Sequence, residues 1–239
     1  MKASKDEYLN RAFVMTEEDL VKLGEVIEKF ASIRTVRLSC VDRVDREVPS
    51  VTDLLNFENP PHKAIKSIRF LTSPKGGDIT TLWLRLDTDA FRNIGYSIEG
   101  KESAVVEFKD LLDERLSAMR PWYWIVADTG FQGGILVWLL TWFVNTIVAV
   151  KVISYLISQK ILPGEVPSGL LSGSAIAIYI FFTLIISLVV TRIRAKTFPN
   201  GVFALGQGKR RHANSDVWRV GLGLGVAASI AASILLLWW

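Results

Sequence analysis

The sequence predicts an α+β cytosolic domain followed by an α-helical membrane domain of three transmembrane helices. Three observations carry this expectation. Charge divides the 239 residues unevenly: residues 1–129 hold 19 Lys and Arg against 22 Asp and Glu, whereas residues 130–239 hold 9 against 2. Long uncharged runs fill the second part, and mean hydropathy over the chain is +0.30. The first part instead alternates short stretches of helical and strand periodicity, the pattern of a small sheet with helices on one side. The lone Cys40 excludes a disulfide scaffold.

In the predicted domain 1–120, Thr16 followed by Glu17, Glu18 and Asp19 marks a helix start. The hydroxyl caps a free N–H and the acids favour the positive helix end. Leu20, Leu23, Ile27 and Phe30 then recur at helical spacing, and Val36, Leu38 and Cys40 alternate with Arg37 and Ser39 as in a half-covered strand. Ser50 and Asp53 open a short helix that Pro60-Pro61 stops. Ile68–Phe70 and Leu82–Leu86 predict strands joined through Pro74-Lys75-Gly76-Gly77, with a further strand at Gly95–Ile98. Val105, Phe108, Leu112, Leu116 and Met119 stripe a helix over 103–119, ended by Pro121.

Residues 121–239 are the expected membrane domain, with spans at about 130–152, 172–191 and 219–239. The uncharged runs there are 22, 26 and 20 residues long, and a spanning helix needs about 20. The connector 192–218 and the Arg219 that follows it carry Arg192, Arg194, Lys196, Lys209, Arg210, Arg211 and Arg219 against Asp216 alone. Such an excess predicts a cytoplasmic connector, hence residues 1–120 in the cytosol and Trp239 outside. Trp122, Tyr123 and Trp124 then form an inner aromatic belt. The start MKASKDEYLN has no apolar core behind its charges, so no cleavable signal peptide is expected.

Motifs of enzyme chemistry fail on inspection. His62 and His212 are the only histidines, too few with one thiol for a zinc site. Asp42, Asp45 and Glu47 are interleaved with Arg43 and Arg46, as in a solvated mixed-charge loop. Gly206-Gln207-Gly208-Lys209 lacks the earlier Gly and the following Ser or Thr of a phosphate loop, because Phe203 and Arg210 stand there. Neither catalytic residues nor a metal or cofactor are expected.

Small and polar residues recur four apart in the expected spans. Gly221, Gly225, Ser229 and Ser233 suit close helix packing, within the chain or against a second copy. Thr141 and Asn145, and Thr183, Ser187 and Thr191, either bond within the helices or line a pore. Val202–Leu205 reads as a short hairpin. Basic residues at Arg34, Arg37, Lys66, Arg69 and Lys209–Arg211 are candidates for holding an anionic ligand.

The stretches FPNGVFALGQGKRRH and RPWYW sit in an arrangement that resembles small bacterial anti-phage membrane effectors, Hailong-type channel proteins among them. That resemblance implies a channel whose cytosolic part senses a DNA oligomer, at the bacterial inner membrane. The expected function is a homo-oligomeric membrane channel gated through its cytosolic domain by an anionic nucleotide or oligonucleotide. Its expected partners are the lipid bilayer, further copies of itself and that ligand. The alternative is a membrane-anchored adaptor whose cytosolic domain binds a protein partner.

Overall fold

Alternation of buried and exposed residues builds a six-stranded antiparallel sheet from β1 (Lys2–Leu9), β3 (Ala31–Cys40), β4 (Asp45–Val48), β5 (Ile65–Pro74), β6 (Ile79–Asp87) and β7 (Ile94–Lys101). Their spatial order is β1-β7-β6-β5-β3-β4. The computed structural model describes residues 1–88, 93–127, 142, 184–185, 187–189 and 191–237, the stretch 226–237 by its backbone only. The chain divides into two units, Met1–Trp124 with Thr197–Trp239, and Ile125–Lys196.

Two helices cover one face of the sheet. In α1 (Glu17–Phe30), Thr16 and Asp19 form a reciprocal capping box, and Leu20, Leu23, Ile27 and Phe30 are buried. In α3 (Glu102–Ala118), Val105, Phe108, Leu112 and Leu116 are buried against the same core. Phe108 joins the layers, meeting Phe30 edge-on at 5.5 Å and Tyr96 at 6.3 Å. From the sheet come Val36, Leu38, Ile68, Phe70, Leu82, Leu84, Leu86, Tyr96 and Ile98. A short α2 (Val51–Leu55), capped by Ser50, adds Leu54. Gly76 and Gly77, both at positive φ, make the β5–β6 turn where side chains would be strained.

A second, two-stranded parallel sheet joins β2 (Phe13–Thr16) to β8 (Gly201–Ala204). The stretch expected as a hairpin is therefore a strand of the first unit. Asn59 secures it from inside. Its side chain is 1% exposed, donates to the carbonyls of Phe203 at 3.1 Å and Leu205 at 3.2 Å, and accepts from the Ile65 amide at 2.9 Å. Gly206 has φ +50°, and a Cβ there would meet the Glu58 carbonyl carbon at 2.8 Å. That close approach explains the glycine better than a phosphate loop does. The helix α5 (Gln207–Leu237) then begins at once, while the four-residue α4 (Trp124–Ala127) follows Pro121.

The α+β character stands, but the membrane domain does not. Among the described residues no helix is long and apolar enough to cross a membrane. The three transmembrane helices, the cytosolic placement of residues 1–120 and the external C terminus at a bacterial inner membrane are corrected accordingly. The third span, expected at 219–239, falls on α5, whose first turns carry Lys209, Arg210, Arg211, Asp216 and Arg219 and whose side chains are described as far as Gly225. The span expected at 130–152, and the part of 172–191 before residue 184, lie outside the described residues. Tyr123, expected in an aromatic belt, is 2% exposed and packs on Phe198.

Replacing Asn59 by Ala would take the Asn59 partner from the Ile65 amide and the Phe203 carbonyl inside the protein, while the Leu205 carbonyl keeps the Gly208 amide. Urea unfolding is expected to show a loss of about 1–3 kcal/mol. A loss below about 0.5 kcal/mol would mean that the β2–β8 ladder holds the segment without the Asn59 side chain.

Candidate anion-binding site on the open sheet face

Residues on β3, β5 and β6 that alternate with the core positions point to the face away from α1 and α3. Antiparallel pairing sets Arg37 opposite Arg69 and Arg69 opposite Arg85. The row continues through Glu47 on one side, and through Gly95 and Tyr8 on the other. Strands lie about 4.8 Å apart, and like charges directly opposite each other are destabilising. Two of the three guanidinium groups are balanced. Arg37 donates to Glu47 through Nε at 3.0 Å and Nη2 at 2.5 Å, and Arg85 donates to Asp87 at 2.5 Å. Arg69, in the middle, has no acidic partner among the described residues.

A cavity of about 150 Å³ opens over this row, lined by Arg37, Ser39, Asp45, Ser67, Arg69 and Arg85. Ser67 accepts from Arg85 Nε at 3.3 Å, which leaves its own O–H to donate. Ser39 donates to Asp45 Oδ1 at 2.6 Å. Beside the row, Tyr8 and Trp83 pack with ring centroids 6.3 Å apart. Their rings lie over Gly95, where a Cβ would come within 2.9 Å of the Tyr8 ring. The site thus offers cationic donors next to an aromatic surface.

Of the expected anion-binding residues, the fold brings together Arg37 and Arg69. Arg34 falls at the register shift between Ile33 and Thr35, and Lys66 is one residue out of phase with Ser67. Lys209, in the first turn of α5, lines a different cavity of about 320 Å³ with Thr16, Glu17, Glu18 and Ala204. Arg210 follows it on the surface, and burial lowers the pKa of half-buried Arg211. Arg85 was not anticipated, although Leu82-Trp83-Leu84-Arg85-Leu86 alternates plainly. The crowded acids are used locally: Arg46 holds Asp42 down at about 2, while Asp45 and Glu47 take Ser39 and Arg37. Burial pushes the Cys40 thiol up, away from the thiolate a nucleophile needs.

Thr141, Asn145 and Thr183 lie outside the described residues. Ser187 and Thr191 fall on helical residues one turn apart, and Gly221 and Gly225 on α5, where the side chains of Ser229 and Ser233 are not described.

A second charged cluster is buried. Arg219 is 4% exposed, donates to the Thr197 carbonyl at 2.5 Å and to Asp216 at 2.8 Å, and lies 4.6 Å over the Tyr123 ring. Desolvation pushes the Tyr123 phenol up to about 12. His212 sits 3.5 Å from Arg219 and 3.7 Å from Asp216. Burial and then Arg219 lower its pKa, with Asp216 opposing them. A His depressed in the folded state adds stability above its unfolded value, near 6.5, and that stability is lost as pH falls. The melting temperature should therefore drop between pH 7 and pH 5, and less so in His212→Gln. Parallel curves for the two proteins would remove His212 from the acid response.

No protein-family model, curated protein or solved structure matches the chain.

Proposed function

We propose that the α+β unit is a binding module for a phosphate-bearing ligand of the nucleotide or oligonucleotide class, and that it acts by binding rather than catalysis. The observation that carries this reading is the cross-strand row Arg37–Arg69–Arg85, whose central member has no acidic partner among the described residues. A phosphate placed over Arg69 relieves repulsion along the row and receives charge-assisted hydrogen bonds. Tyr8 and Trp83 support the nucleotide part, since an aromatic surface beside a cationic row stacks a base while its phosphate is held. Part of the affinity is electrostatic, so it falls as salt rises.

The test uses the full chain and a short 5′-phosphorylated single-stranded oligonucleotide, with a nucleoside monophosphate as the second probe. Arg69→Glu is expected to weaken binding at least about tenfold, from charge-assisted bonds of about 1.5–3 kcal/mol. Arg34→Glu, off the row, should change it less than about threefold. Trp83→Ala should cost about fivefold or more, as stacking contributes about 1–3 kcal/mol per base. Equal affinity in wild type and Arg69→Glu, or no binding of either probe, would overturn the reading.

A further inference from the structure

The cavity over the arginine row has two unlike ends. Toward β5 and β6 it presents donors: the Arg69 guanidinium, the remaining N–H groups of Arg85 and the Ser67 hydroxyl. Toward β3 and β4, beside the Arg37 guanidinium that is already paired with Glu47, it presents acceptors. Ser39 spends its hydrogen on Asp45 Oδ1, so its oxygen faces the cavity as an acceptor. Asp45 Oδ2 has no hydrogen-bond partner among the described residues, and the β3–β4 ladder holds Asp45 opposite Ser39. A bare tetrahedral anion satisfies the donor end only. Its oxygens would meet the Asp45 carboxylate, lone pair against lone pair.

We infer that this cavity selects a phosphate that carries a proton, the group found on a phosphate monoester, and discriminates against sulfate and phosphodiesters. The inference rests on the anion-binding reading above and narrows its ligand to a terminal phosphate instead of an internal linkage. The phosphate P–O–H donates to Asp45 Oδ2 while its other oxygens accept from Arg69, Arg85 and Ser67. Sulfate and a dialkyl phosphate have no proton to give near neutral pH, so they leave the carboxylate unpaired and repelled. Asp45 is thus the specificity-determining residue, and Arg69 the residue of affinity.

Calorimetric titration of the full chain at pH 6.5 and constant ionic strength tests this with inorganic phosphate, sulfate and dimethyl phosphate. An unmatched acceptor costs about 1–3 kcal/mol, so wild type should bind phosphate at least about fivefold more tightly than the other two. Asp45→Asn supplies a donor of the same shape, and should bring the three affinities within about twofold, chiefly by improving sulfate. Arg69→Gln should weaken all three together. Equal affinities in wild type, or an unchanged ratio in Asp45→Asn, would overturn the selectivity while leaving the anion site standing. Failure of all three probes to bind wild type would remove the anion site itself, and the selectivity with it.

Discussion

Antiparallel register across β3, β5 and β6 governs both faces of the sheet at once. Side chains alternate with a period of two, so the pairing that sets Val36, Phe70 and Leu84 in one buried layer also sets Arg37, Arg69 and Arg85 in one exposed row. A slip of one residue would send the arginines into the core and expose the layer that α1 and α3 cover. Burial of the apolar layer therefore holds three cations in a mutual repulsion that they would not choose alone. Two are relieved by Glu47 and Asp87; the third, Arg69, has no acidic partner among the described residues.

The same fold ties the far end of the chain to its beginning. β8 lies 185 or more residues from β2 in sequence, yet pairs with it in parallel, as strands can only after a long crossover. A four-residue ladder is a weak anchor, and Asn59 strengthens it by accepting from β5 and donating to the residues that lead into α5. Buried amides of this kind demand complete partners, since each unpaired group is costly. Arg219 obeys the same rule further along α5. Burying its charge is tolerated because Asp216, the Thr197 carbonyl and the Tyr123 ring surround it.

Charge in this protein thus has two unlike uses. On the sheet face it stays half exposed and, among the described residues, only partly paired. At Arg219 in α5 it is buried and matched. A count of basic residues does not separate these cases, and the stretch from Arg192 to Arg219 read as a topological signal on that count alone. In the structure its last member is an internal structural cation.

Local patterns already determined the central elements. The Thr16–Asp19 cap, the stripes of α1 and α3, and the alternation at Val36–Cys40 and Leu82–Leu86 each express a short-range preference that needs no distant partner. Edge and clamp strands were not legible in that way. Lys2–Leu9 has too few apolar residues to signal a strand, because its backbone bonds to β7 and not a buried face hold it in place. At the candidate site, Arg37 and Arg69 were legible as basic residues near neighbouring strands, whereas Arg85 and Asp45 were not. The sequence by itself determined which residues alternate and which helices are capped. Only the tertiary structure decided that Arg37, Arg69 and Arg85 share a row and that Asp45 lines the cavity beside it, because strand register is set by burial of the opposite face, a property of the whole sheet.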